Sequence, residues 1–292
     1  MPEPDLDPSF LVTAVAASLS LLMMLAWLHQ GRLGNAGWVD VFWTAGTGLA
    51  GLAFALVPLD APGTLTPRQI LVALLELAWS FRLLLYSVGR ASRGRENARH
   101  ANLRRHWGLQ FQRRFFGLLQ LKALAALVLS LAVFAAARNP EPWLGTMDWI
   151  GAGIVVVSIM GAGVADHQLR RFRRDDPGER GICDRGLWAW SRHPNYFFEW
   201  LGWAAYPLIA VAPPAEYSWG WGALAAPIAM YWLLVHVWGI PYAEPQLVAR
   251  CGDAYRTYRA RTSAFFPVRP SPRISQAHDA QTGRAQTQVS EA

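Results

Sequence analysis

The chain has 292 residues, of which 53% are hydrophobic and only 16% charged, with 15 Trp and 2 Cys. Its apolar residues gather into blocks near membrane-spanning length, which excludes a soluble globular domain and implies an all-α, polytopic membrane bundle. The formal net charge of +7 is explained by basic clusters between those blocks, so topology and an anionic lipid surface account for it without nucleic acid.

Seven spans are predicted in chain order: Phe10 to Leu28, Trp38 to Val57, Ile70 to Val88, Phe115 to Ala136, Trp149 to Leu169, Pro194 to Val211 and Trp221 to Ile240. The first block lacks a basic leading segment and is long for a signal-peptide core, so it reads as a span. Of the 27 basic residues 26 are Arg, and residues 90 to 114 hold eight of them, 170 to 192 seven and 250 to 269 five. The intervening connections, around Asp60, Glu141 and Glu216, are nearly free of positive charge. The positive-inside rule then places the three Arg-rich segments and the C-terminus in the cytoplasm, with the acidic N-terminus (Glu3, Asp5, Asp7) outside.

Beyond the last span, Gln246 to Phe266 mixes Tyr255, Tyr258, Phe265 and Phe266 with Arg, as an amphipathic helix folded back on the cytosolic face would. Residues 1 to 269 thus form one helical membrane unit, and 270 to 292, without periodicity, read as a disordered cytosolic tail. Cys183 and Cys251 have no ligand-spaced neighbours, so neither a disulfide nor a metal site is expected.

Ionisable residues inside spans are costly and mark functional sites unless they snorkel. In this topology Asp40, Arg82, Lys122, Asp166, Glu199 and His236 all fall in the cytosolic half of their spans, with Glu76 nearer the middle. Snorkelling or pairing is the plainer account of Arg82 and Lys122 taken singly, but the one-sided distribution favours a polar cavity open to the cytosol. The sharpest signal is the junction at residues 184 to 199. Pro194 lacks an N–H and has its φ pre-set, so the helix should begin at His193-Pro194, leaving Asn195 and Glu199 on one face and Arg192 just before them. Such a helix start can hold an anionic, hydrogen-bonding ligand. Most of Arg170, Arg171, Arg173, Arg174, Arg180 and Arg185 serve as topology determinants, and a few could grip phosphate oxygens. Most Trp residues read as interfacial anchors, with Trp188, inside the junction, set apart from them.

The run Gly186-Leu187-Trp188-x-x-Ser191-Arg192-His193-Pro194-Asn195-Tyr196-x-x-Glu199, followed between Glu244 and Pro267 by E-P-Q-L-x-x-R-x-G-x-x-Y-x-x-Y-x-x-x-T-x-x-F-F-P, resembles the steroid 5-alpha-reductase C-terminal-like membrane proteins, and more closely their bacterial DUF1295 branch. The resemblance runs from Asp40 to Pro267 and is most specific in these two motifs. It implies a reductase of an activated carbon–carbon double bond in a steroid-, sterol- or isoprenoid-like substrate, in a bacterial inner membrane, with NADPH as cofactor. Carried over by motif, it implies cofactor contacts at Asp166, Arg173, Trp188, Arg192, His193, Asn195, Tyr196 and Glu199. Steroid reductases also carry a Glu and a Tyr on neighbouring N-terminal helices to polarise the substrate ketone. The matching segment Glu76-Leu-Ala-Trp79-Ser-Phe-Arg82 has Trp79 where that Tyr would lie, which leaves Glu76 as the candidate polarising residue, with Asp40, Tyr86 or His236 as other proton sources.

Two other classes stay open. Arg-His-Pro before a membrane helix also occurs in isoprenylcysteine and phospholipid methyltransferases that bind S-adenosylmethionine. Asn195 and Glu199 suit the larger dinucleotide better. A non-catalytic membrane protein is the third reading. Against transport, the polar groups cluster on one side and no internal repeat is evident.

Overall fold

The computed structural model describes residues 7–59, 64–92, 98–175, 181–211 and 217–270. The proposed tail from 271 onward, Arg180, Asp60 and Glu216, and the acidic Glu3 and Asp5 lie outside the described residues. Among those described the chain is helical throughout: α1 (Pro8–Leu33), α2 (Val39–Leu56), α3 (Pro67–Ala91), α4 (Ala98–Trp107), α5 (Phe111–Ala137), α6 (Thr146–Asp175), α7 (Pro194–Ala210), α8 (Ala225–Trp232), α9 (Ile240–Cys251) and α10 (Asp253–Arg261). Six helical stretches are long and apolar enough to cross a membrane, and they mark an integral membrane protein.

The helix starts follow from local sequence. Asp7 caps α1 by accepting from the Ser9 N–H at 2.8 Å, and Thr66 with Gln69 forms a reciprocal capping box on α3, where Pro67 takes the first helical position. Helix α7 begins at Pro194, with His193 as its cap residue, as the sequence implies. With 17 residues it reaches about 26 Å, at the short end of what spans a membrane, and it runs from Asn195 beside Asp166 of α6 to Ile209, whose carbonyl accepts from Asn139 after α5.

The last predicted span is not one straight helix. A 3₁₀ segment (Ser218–Leu224) leads into α8, a π-helical turn spans Leu233–Val237, and α9 starts after a break at Trp238-Gly239. A Cβ at Gly239 would stand 2.3 Å from the Leu234 carbonyl oxygen and 3.0 Å from the Tyr196 ring, so only glycine lets the break close against α7. The single amphipathic helix expected over Gln246 to Phe266 is corrected likewise. Gly252, at φ 56°, separates α9 from α10, and the chain leaves α10 extended from Thr262.

Two apolar clusters share α5. One joins it to α1 and α2 through residues such as Met23, Phe54, Phe115 and Leu119, and the other to α3, α6, α7 and α8 through Trp79, Leu129, Trp203 and Ile209. Helices α6 and α7 make the most extensive pairing in the bundle. Gly161 permits it, since a Cβ there would meet the Phe198 ring at 2.4 Å. This pairing presses the start of α7 against Asp166.

Candidate functional site

The site forms where α3, α6 and α7 meet near the Arg-rich end. On α7, Asn195 Nδ2 donates to Asp166 Oδ1 of α6 at 3.3 Å, and Glu199 accepts from the Trp79 indole N–H of α3 at 2.9 Å. Arg82, one turn beyond Trp79, is ion-paired to Glu199, and its Nη1 lies 4.0 Å from Asp166 Oδ2. Two carboxylates therefore share one guanidinium. That guanidinium is incompletely bonded, since its buried Nε and Nη1 have no hydrogen-bond partner. A buried donor left unmade is costly, and these N–H groups remain open to a further acceptor.

Toward the helix ends, the Arg90 and Arg170 guanidiniums lie 5.8 and 5.9 Å from the centroid of the Tyr86 ring. Arg173 lies within electrostatic range of the same tyrosine. Helix periodicity sorts the arginines here. Arg171 and Arg174 pair with Asp175 at 3.6 and 3.3 Å, while Arg170 reaches the Tyr86 ring of α3. A second polar knot adjoins, with Asp40 held by Lys122 at 2.8 Å and by Arg90.

Other residues of the junction face away from this cluster. Arg192 was placed by sequence at the mouth beside Asn195. Instead its Nε donates to Glu244 at 2.7 Å and its Nη1 to the carbonyls of Arg259 and Thr262 at 3.2 and 2.5 Å. Trp188 is buried, with its indole N–H given to the Ala165 carbonyl at 3.0 Å and its own carbonyl accepting from the Tyr258 hydroxyl at 2.5 Å. Burial pushes the Tyr258 phenol up from its ordinary range. Ser191 and Trp190 bind the chain after α10 through Phe265 and Val268, so the two sequence motifs meet as a staple behind the site. His193 is buried in the staple, its ring stacked on Tyr196 at 5.2 Å and its Nε2 3.5 Å from Glu244. Burial pushes this imidazole below its ordinary value despite the carboxylate.

A family profile described as "Protein of unknown function (DUF1295)" matches residues 26–262. The chain belongs to that family. It is the steroid 5-alpha-reductase-like group, and the match spans the bundle from α1 to the end of α10. A curated relative, an uncharacterized protein of Schizosaccharomyces pombe, is 24% identical over 283 residues, covering 80% of this chain and 76% of its own. No solved structure matches.

The structure thus brings Asp166, Asn195 and Glu199 together, with Tyr196 beside them and Arg173 at the rim, and sets Trp188, Arg192 and His193 behind. Glu76 lies deeper on α3, fully buried, and accepts at 3.0 Å from the hydroxyl of Tyr206 on α7. His236 sits apart, edge-on to Tyr231 at 5.9 Å. Of the two plain accounts the sequence offers for Arg82, snorkelling and pairing, the structure shows pairing, and the sequence did not single out Tyr206 or Trp203. The spacing Asn195, Glu199, Trp203, Tyr206, alternating four, four and three, was the available signal of one polar face.

Proposed function

We propose that the chain is a membrane-embedded, NADPH-dependent reductase of an activated carbon–carbon double bond in a hydrophobic, lipid-like substrate. The carrying observation is the Asp166–Arg82–Glu199–Asn195 cluster with its two unmade guanidinium N–H groups. The residues present fit the cofactor. A primary carboxamide offers one acceptor for Arg82 and N–H donors for the two carboxylates, and ribose hydroxyls can do the same. Arg90, Arg170 and Arg173 around Tyr86 suit phosphate oxygens. NADPH, when bound, supplies a hydride.

The chain's own part is to orient and to exclude water. The Arg192–Glu244 staple holds the start of α7, Trp79 closes the cluster on its membrane side, and Glu76 with Tyr206 holds an exchangeable proton in a dry interior. By the positive-inside rule this Arg-rich end faces the cytoplasm, where the nucleotide is found.

The test is binding of NADPH and of S-adenosylmethionine to purified protein in mild detergent. Asn195→Ala and Glu199→Ala should each weaken NADPH binding by about 1 to 3 kcal/mol while the protein stays folded. Binding of S-adenosylmethionine without NADPH would overturn the assignment in favour of a methyltransferase.

A further inference from the structure

Residues 97 to 140 include seven basic residues and no Asp or Glu. Three of these cations are taken up by the protein. Lys122 pairs with Asp40, Arg138 bonds the carbonyls of Phe54 and Val57, and the Arg104 guanidinium lies 4.8 Å from the centroid of the Phe111 ring. Arg113 and Arg114, in the first turn of α5, are exposed, and their side chains form no ion pair or hydrogen bond among the described residues. Other arginines at this end do find carboxylates, Arg256 at Asp253 and Arg261 at Asp184. Helix α5 gives no reason of its own for the pair. A helix start favours acids over cations, and this one has no acid in its first turn and no side-chain cap.

The surface below these arginines changes character in a fixed order. Arg113, Gly117, Leu121 and Leu124 follow at intervals of four, four and three, so they share the outward face of α5, with Arg114 at its edge. All five are exposed. A Cβ added at Gly117 would meet nothing within 4 Å, so a notch one side chain deep separates the guanidiniums from the leucines. Gly117 lies about 6 Å and Leu124 about 16 Å along the helix from Arg113. On the other side of the arginines, Gly108 at φ 47° turns the chain between α4 and α5, and this turn holds Leu109 fully exposed. Cations interleaved with outward leucines fit the boundary between lipid headgroups and acyl chains better than open water.

We infer that the outward face at the start of α5 is a binding site for an anionic phospholipid of the cytosolic leaflet. The phosphate sits against the Arg113 and Arg114 guanidiniums, whose planar forks match its oxygens, and the glycerol backbone lies over the Gly117 notch. One acyl chain then follows Leu121 and Leu124, while Leu109 anchors the turn among the neighbouring lipids. The order of charge, gap and apolar surface along α5 is the order of headgroup, glycerol and chain in the lipid. A zwitterionic phospholipid brings a cation to the same two arginines and is held less well. This face belongs to α5, whereas the candidate site is formed by α3, α6 and α7, so the inference does not depend on the reductase reading.

The test uses the full chain in phosphatidylcholine nanodiscs doped with photoactivatable phosphatidylglycerol or with photoactivatable phosphatidylcholine of the same acyl chains, and maps adducts by peptide mass spectrometry. The phosphatidylglycerol probe should label residues 117 to 124 about tenfold more than the phosphatidylcholine probe. Replacing both arginines, Arg113→Gln with Arg114→Gln, should abolish that preference. Gly117→Leu fills the notch without meeting the rest of the protein, and it should lower phosphatidylglycerol labelling several-fold with both arginines kept. Arg256→Gln is the charge control, at an exposed arginine that has its own carboxylate, and should change nothing. Equal labelling by the two probes means a helix that merely faces lipid and overturns the site. Labelling that falls as much with Arg256→Gln as with the α5 pair, or that ignores Gly117→Leu, means diffuse attraction to the membrane and overturns it too.

Discussion

Arg68 and Arg82 lie on the same helix about four turns apart, both inside the bundle, and they are finished to different degrees. Arg68 uses every donor it has. Its Nε and Nη2 form a fork on Asp148 at 2.8 and 2.9 Å, Nη1 bonds the carbonyls of Asn139 and Glu141, and Nη2 also bonds that of Trp143. Arg82 faces two carboxylates and still has buried Nε and Nη1 groups unbonded. The same residue type is thus bonded in two ways. A buried cation whose hydrogen bonds close on the protein is a rivet between segments, while one that leaves them open can still take a further acceptor.

Breaking the rivet should have the largest effect. Arg68→Met leaves Asp148 buried without a counter-charge, so thermal unfolding in detergent should show a loss of about 3 to 5 kcal/mol. NADPH affinity of the folded fraction should be unchanged. Arg82→Lys sharpens the contrast from the other side. It keeps the charge but loses the planar fork, so NADPH binding should weaken by about 1 to 3 kcal/mol with little change in melting temperature. A large stability loss with unaltered binding would make Arg82 a second rivet.

A smaller effect is expected of pH at the staple. Because burial holds His193 below its ordinary value, the unfolded chain takes up a proton as pH falls through about 6.5 while the folded chain resists. Stability contributed by the neutral, stacked ring is therefore present above that pH and declines below it, and His193→Gln should flatten this part of a melting-temperature profile. Smallest of all should be Arg171→Ala, whose pair with Asp175 is exposed and should count for no more than about 0.5 kcal/mol. Arg170→Ala and Arg173→Ala, by contrast, should weaken NADPH binding in a salt-dependent way, measurable in a titration over ionic strength.

Legibility in the sequence tracked the range of the interaction. The start of α7 at Pro194 and the alternation of apolar blocks with Arg clusters depend on neighbours within a turn or two, and they are where the sequence places them. The seventh span and the C-terminal helix were read as continuous because hydropathy does not register a π turn or a glycine at positive φ. At the site, Asp166, Asn195 and Glu199 could be read from helical spacing and motif. Arg82 could not, since paired and snorkelling arginines have the same sequence signature.

What the sequence determined by itself is therefore the membrane character, the family and the face of α7 that carries polar groups, because each follows from composition or from spacing along one helix. Only the tertiary structure decided that Arg192 turns to Glu244 and not to the Asn195 face, that Arg82 joins Asp166 to Glu199, and that Tyr206 meets Glu76. These pairs link residues far apart in the chain, and their partners are set by how α3, α6 and α7 pack. Periodicity fixes the direction in which a side chain leaves its own helix, but what it meets there depends on where the other helices lie.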